Sequence, residues 1–178
     1  MRVTAVAALV GIALAGAVSL VADAAPGPGA ERRAAAFARA TCMAAMEDPA
    51  KVERIAKDRG WTQLADRSSE QPSFMTVIGT WRIAQDDRSY LVSIATSRNH
   101  GRPQNICTVV FESSELARAG FFAAMSDGWD LATITDIASP EWRNEMHTVR
   151  SARPLDLVLQ MTSTPGGFVV SMTLLGTM

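Results

Sequence analysis

The sequence predicts an α+β fold, in which two N-terminal helices and one central helix pack on one face of an antiparallel sheet of about six strands. Two observations lead to this prediction. Between Ala30 and Gly60 the apolar residues recur at spacings of three and four, as in amphipathic helices. From residue 74 onward they mostly alternate with polar residues, as in strands with one buried face. Helices that lie on one side of an antiparallel sheet define the α+β class.

The first 24 residues have the features of a signal peptide. Arg2 supplies a positive charge, and an apolar run follows it from Val3 to Val21. Ala22 and Ala24 then form an A-x-A cleavage pattern. We therefore expect cleavage after Ala24. The alternative is an uncleaved membrane anchor, because the run is about long enough to span a bilayer.

Length and composition limit the remaining chain to one domain. Residues 25–33 are a flexible lead-in rich in proline and glycine, and residues 34–178 form a single α+β domain. The full chain has 17 basic and 18 acidic residues. This balance argues against nucleic acid as a partner, since nucleic-acid binding needs a basic face. It also argues against stable membrane association after cleavage. We expect a periplasmic or secreted protein.

Two helices are predicted before the sheet. The first covers residues 30–46, where a stripe of small apolar residues forms one side. The second is clearly delimited: Asp48 is a good N-cap, and Pro49 suits the first helical position. Gly60 is placed to end this helix in a left-handed conformation, and Trp61 is placed to contact its last turn.

Six strands and one central helix are predicted in the remaining chain. The strands are residues 74–83, 89–97, 105–111, 141–150, 155–161 and 168–175, and the helix is residues 113–125. The stretch 130–138 is ambiguous between strand and helix. In the first strand, alternation places Met75, Val77, Trp81 and Ile83 on one face.

The two cysteines, Cys42 and Cys107, predict one disulfide bond. Cys42 lies late in the first helix, where the helix dipole disfavours the thiolate that a nucleophile requires. Two cysteines and two histidines are also few for a metal site. In an oxidising compartment a cysteine pair forms a disulfide by default, and two buried free thiols are the alternative.

Familiar catalytic motifs do not occur in the sequence. There is no G-x-S-x-G, S-x-x-K or H-E-x-x-H, and no nucleotide-binding glycine motif. We therefore assign no catalytic residue, no metal ligand and no cofactor, although an unfamiliar active site is not excluded.

One group of candidate ligand-binding residues lies in the segment 97–103. Arg98, His100 and Arg102 would form a cationic loop that meets a carboxylate or phosphate. The alternative is an ordinary solvated hairpin loop.

A second group lies in the segment 141–150. If this run is a strand, Glu141, Arg143, Glu145 and His147 share a face. Glu145 and His147 are then candidates for acid–base chemistry or ligand binding. The alternative is an exposed polar strand face with cross-strand ion pairs.

The combination of the signal peptide, Cys42, "DPAKVERIAKDRGW" and "QNICTVVF" resembles small exported bacterial proteins with a single cysteine pair. The resemblance covers Thr41 to Phe111. That group has no assigned activity, so the resemblance implies no activity and no catalytic residue.

These observations favour a non-catalytic periplasmic binding or interaction module whose partner is a protein or a cell-envelope ligand. One alternative is a hydrolase with an unrecognised site, acting on an envelope substrate through Glu145 and His147. Another is a protein inhibitor that inserts the 97–103 loop into its target.

Overall fold

A computed structural model describes residues 29–65, 75–85, 88–99, 101–112, 118–150, 156–163 and 169–177. The helices are α1 (Ala30–Glu47), α2 (Pro49–Asp58) and α3 (Arg118–Ser126). The strands are β1 (Thr62–Ala65), β2 (Met75–Gln85), β3 (Arg88–Asn99), β4 (Arg102–Glu112), β5 (Asp130–Ala138), β6 (Arg143–Arg150), β7 (Asp156–Ser163) and β8 (Val169–Thr177). The predicted signal peptide lies outside the described residues, so its cleavage stays a prediction.

The strands form one antiparallel sheet in the order β1-β2-β3-β4-β8-β7-β6-β5. Each half of the sheet is a four-stranded meander, and the two meanders meet where β4 pairs with β8. The predicted α+β class is confirmed, but the predicted count of six strands is wrong. The two additional strands are β1, which has only four residues, and β5, which covers the ambiguous stretch 130–138 and is exposed along most of its length, so that it lacks a buried alternating face.

Helix α1 packs closely on its neighbours through alanine. Nine of its residues are buried, and six of them are alanines. Because alanine side chains are small, the helix backbone approaches both β4 and α3. The helix begins at Ala30, which is itself buried, so residues 30–33 belong to α1 and the lead-in ends earlier than predicted. In the described part of the chain, no helix has both the length and the apolar character needed to cross a membrane.

The ends of α2 follow the predicted capping pattern. The Asp48 carboxylate accepts a 3.0 Å hydrogen bond from the main-chain N–H two residues further on. Gly60 has φ of 65° and donates to the Lys57 oxygen at 3.2 Å. The Trp61 N–H donates to the Ala56 oxygen at 2.9 Å. These two bonds make a Schellman motif, which fixes the direction of the chain leaving the helix.

The helices cover one face of the sheet, and the core lies between the two layers. Alternate residues of the central strands point into it; among them are Val92, Ile94, Val109, Phe111, Leu157 and Leu159. A β-bulge between Val77 and Gly79 changes the alternation in β2. As a result Val77 pairs with Ala95, on the face away from the helices, and the prediction that Met75 and Val77 share a face with Trp81 is wrong.

Two contacts fasten the end of α1 to β4. The predicted disulfide is present, with the Cys42 and Cys107 sulfur atoms 2.04 Å apart. Two residues before Cys107, the buried Asn105 amide donates to the main-chain oxygens of Ala45 and Met46, at 3.3 and 3.4 Å. These oxygens belong to the last turn of α1, where carbonyl groups lack a partner within the helix. Cys42 is thus part of the architecture of the domain.

Candidate functional site

The segment that contains Glu145 and His147 is a strand, as predicted. Arg143, Glu145 and His147 alternate along β6 and point to the face that the helices cover. Glu141 precedes the strand and is exposed, so it does not join them. Only 6% of Glu145 and 1% of His147 is accessible to solvent. The alternative of an exposed polar strand face is therefore wrong for Glu145 and His147.

Arg143 links two carboxylates at the edge of the sheet. Its Nε donates to Oδ1 of Asp136 at 2.8 Å, and its Nη2 donates to Oδ2 of the same carboxylate. Nη2 also lies 3.7 Å from Oε1 of Glu145. The hydrogen bonds that Arg143 donates to Asp136, together with the charge of Glu145, raise the pKa of Arg143 above its ordinary value. Glu145 is thus a member of an ion-pair cluster between β5 and β6.

His147 is almost completely buried and contacts α3 and both neighbouring strands. Its Nδ1 lies 3.2 Å from the Thr133 hydroxyl oxygen, and its ring lies 5.1 Å from the Phe122 ring of α3, centroid to centroid. In the neighbouring strand it pairs with Leu159. A general base must come within hydrogen-bond reach of its substrate. Because His147 is buried, its imidazole is not placed to reach a substrate, and acid–base chemistry there is not favoured.

The candidate residues of the 97–103 segment lie at the end of the β3–β4 hairpin. Arg98 and Arg102 are exposed on neighbouring strands, and Gly101 between them has φ of 81°. His100 lies outside the described residues. Three strand steps separate β4 from β6, which amounts to about 14 Å. The two groups of candidate residues therefore do not meet in one site.

A depression of about 330 Å³ lies at the other edge of the sheet, where α2 ends and β1 begins. We call it the edge groove. Its lining residues are Arg59, Gly60, Trp61, Thr62, Arg82, Ile83 and Ala84. Its volume is at the lower end of the range for sites of small ligands. Sequence reasoning missed this site because its two arginines lie in separate parts of the chain. The available signal was an arginine within two residues of a tryptophan, in both "DRGW" and "TWRI".

The walls of the edge groove are held in place by the fold. The Schellman motif positions Trp61, whose ring lies 6.0 Å from the Phe37 ring of α1. Arg82 pairs with Thr62 across β1 and β2 and is exposed. Ile83 and Ala84 follow Arg82 in β2 and lie beyond Thr62, the first residue of β1. The groove is therefore lined by two arginines, a tryptophan and a length of strand edge.

This combination suits a ligand that carries a carboxylate or phosphate. A guanidinium group binds such anions through two parallel hydrogen bonds. The half-buried Trp61 supplies an apolar surface beside these charges. Among the described residues, no group of histidine, cysteine, aspartate or glutamate is arranged to hold a metal ion.

Comparison with known proteins found no match: no family model fits the chain, and neither a curated protein nor a solved structure is significantly similar to it.

Proposed function

We propose that this chain is an exported, non-catalytic binding module that takes an anionic ligand in the edge groove. The observation that carries the proposal is the convergence of Arg59 and Arg82 beside Trp61 in one half-open depression. Two positive charges on a near-neutral protein give this edge a selective attraction for anions. The partner is a protein or a cell-envelope component that presents such a group.

Two features support a location outside the cytoplasm, in the periplasm or beyond. The disulfide between Cys42 and Cys107 would persist in an oxidising compartment. The first 24 residues have the composition of a signal peptide. Fractionation of cells that express the full chain, followed by mass measurement of its N-terminus, tests both export and the expected cleavage after Ala24.

A titration followed by NMR tests binding at the edge groove. The probes are citrate, a small carboxylate, and hexaglutamate, a flexible acidic peptide. We expect amide shifts at Gly60, Trp61 and Ala84 that saturate at millimolar concentrations or below. The double variant Arg59→Ala/Arg82→Ala should lose them. Arg98→Ala/Arg102→Ala removes the same charge from another exposed site and serves as the matched control.

The result that would overturn the proposal is the absence of localised shifts with both probes. Equal weakening in the two double variants would also count against it, because it would mean that overall charge, and not the groove, determines binding.

The inhibitor alternative is favoured by one observation, the exposure of both Arg98 and Arg102 at the end of the β3–β4 hairpin. Two exposed guanidinium groups on a hairpin could enter an acidic cleft of a target protein. Replacement of residues 97–103 by a neutral turn should then abolish binding to that target. Retained binding would remove this alternative.

The hydrolase alternative depends on His147. The His147→Ala variant tests it: any hydrolytic activity on envelope extracts that survives this substitution does not use the imidazole. The burial of His147 against Phe122 makes this alternative the weaker one.

A further inference from the structure

We infer that the ligand of the edge groove is an acidic peptide segment in extended conformation, which pairs with β2 beyond Thr62, the first residue of β1. The inference rests on the proposed function, since it names the class of ligand for the same groove. It is drawn from the unequal lengths of β1 and β2, from the charges beside the open edge, and from a comparison of the two sheet edges.

As far as the structure describes the chain, the backbone of β2 has no strand partner on one side at the groove. Pairing between β1 and β2 ends where Thr62 meets Arg82, whereas β2 continues to Gln85. In the described part of the chain, Ile83 and Ala84 have strand partners only in β3. Main-chain groups at an unpaired strand edge are a template for another extended chain, which adds to the sheet by backbone hydrogen bonds.

The space available limits how much peptide can pair. Thr62 and the following residues of β1 already occupy the edge on one side of the groove. Among the residues that the structure describes, Ile83, Ala84 and Gln85 are the part of β2 that has no partner on this side. The ligand is therefore a short extended segment, which agrees with the modest volume of the depression.

The charges determine which peptide fits. Arg82 is exposed next to the open edge, and Arg59 borders the same space from the end of α2. Lys57 and Asp58 are also exposed near this end of the helix, and their charges offset one another. A basic peptide would be repelled by the two guanidinium groups, while glutamate or aspartate side chains, or a terminal carboxylate, would pair with them.

The opposite edge of the sheet lacks this combination. Strand β5 has exposed apolar side chains, with Ile134 51% and Ile137 56% accessible. A bulge between Thr133 and Thr135 nevertheless interrupts its regular geometry, and Asp136 is held by Arg143. Bulges and charged side chains on an edge strand hinder pairing with another chain. The edge of β2 at Ile83 and Ala84 is thus the better place for strand addition.

Three probes test the inference on the full-length exported protein. They are hexaglutamate, the same peptide with alternate amide nitrogens methylated, and citrate. We expect hexaglutamate to slow hydrogen exchange at the amide of Ile83 or Ala84. Methylation removes backbone donors while the carboxylates remain, so it should weaken binding about tenfold for one or two lost hydrogen bonds. Arg59→Ala/Arg82→Ala should abolish binding, whereas Arg98→Ala/Arg102→Ala should leave it intact.

The outcomes separate this inference from the proposed function. If the methylated peptide binds as tightly as hexaglutamate and exchange at Ile83 and Ala84 is unchanged, the groove binds anions without strand pairing. The inference then fails and the proposed function stands. If citrate binds in the groove and hexaglutamate does not, the inference fails in the same way. If no probe affects the groove, both fail.

Discussion

The indole of Trp81 lies across Gly79, so that a Cβ atom at residue 79 would stand 2.5 Å from Cζ2 of the ring. Real Cβ atoms do not tolerate such a distance, so the position requires glycine or a movement of the ring. The two residues lie on the same face of β2 because they are two positions apart in the regular part of the strand that follows the bulge. Trp81 is only 2% accessible and belongs to the core that the helices cover.

We expect Gly79→Ala to displace the Trp81 ring and to lower the free energy of unfolding by about 1–3 kcal/mol, the usual cost of overpacking. The environment of the buried indole should change as well, which is measured by its NMR signal and by acrylamide quenching. Gly101→Ala is a suitable control, because Gly101 has positive φ but no neighbouring atom within 4 Å of an added Cβ. It should cost stability through backbone strain alone and leave the Trp81 signal unchanged.

The disulfide should contribute strongly to stability. Cys42 and Cys107 are separated by 65 residues in sequence. The chain-entropy model gives about 4 kcal/mol for a loop of this size. Replacement of both cysteines by alanine, or reduction of the wild-type protein, should lower the urea midpoint accordingly. In unreduced protein, mass spectrometry should show two hydrogen atoms fewer than after reduction. Two thiols that alkylate freely before reduction would contradict the assignment.

Replacement of Asn105 should also lower the stability of the protein, though by less than loss of the disulfide. The Asn105→Ala variant leaves the buried oxygens of Ala45 and Met46 without their donor, which costs about 1–3 kcal/mol. Chemical denaturation measures the loss. The neighbouring Gln104 is only half-buried and accepts a hydrogen bond from Ser97 on the other face of the sheet. Gln104→Ala should therefore remain within about 0.5 kcal/mol of the wild type. Similar losses in both variants would contradict a specific role for Asn105.

The sequence predicts those parts of the fold that depend on local signals. The caps of α2 at Asp48 and Gly60 follow from the conformational preferences of single residues, and the disulfide follows from the number of cysteines. The bulge at Gly79 and the exposed strand β5 could not be predicted, because neither leaves a periodic pattern. The edge groove was missed for a different reason: Arg59 and Arg82 come together only when β1 pairs with β2.

Arg39 connects α1 to the end of α3, and its guanidinium group packs against Gly128. Its Nη1 donates to the main-chain oxygens of Ala124 and Met125, the latter at 3.3 Å. A Cβ atom on Gly128 would lie 2.7 Å from Cζ of this guanidinium. We expect Gly128→Ala and Arg39→Ala each to destabilise the protein, because each removes the same contact.

A double-mutant cycle on Arg39 and Gly128 tests the contact. The loss in the double variant should be smaller than the sum of the single losses, with a coupling of about 0.5–3 kcal/mol. The free energies are obtained from urea unfolding of the four proteins. Additive losses would mean that the guanidinium does not occupy the space above Gly128.

The N-cap Asp48 should make stability depend on pH. The hydrogen bond from the Arg54 side chain, aided by the one from the Ala50 N–H, holds the pKa of Asp48 below 3.8, its ordinary value. A carboxyl whose pKa is lower in the folded than in the unfolded protein stabilises the fold above the unfolded value. This stabilisation is lost as the pH falls through the folded value. The melting temperature of the wild type should thus exceed that of Asp48→Ala at pH 7, and the difference should shrink as the pH falls below about 4.

Asp48→Asn is the matched control, because asparagine also accepts at an N-cap but carries no charge at any pH. The difference in melting temperature between Asp48→Asn and Asp48→Ala should stay constant over the same pH range. Arg54→Ala removes the main cause of the lowered pKa and should reduce the pH-dependent part while the cap remains. A wild-type advantage over Asp48→Asn that is as large at pH 2 as at pH 7 would show that the charge of Asp48 plays no part. The cap would then stabilise α2 through its hydrogen bond to the Ala50 N–H alone.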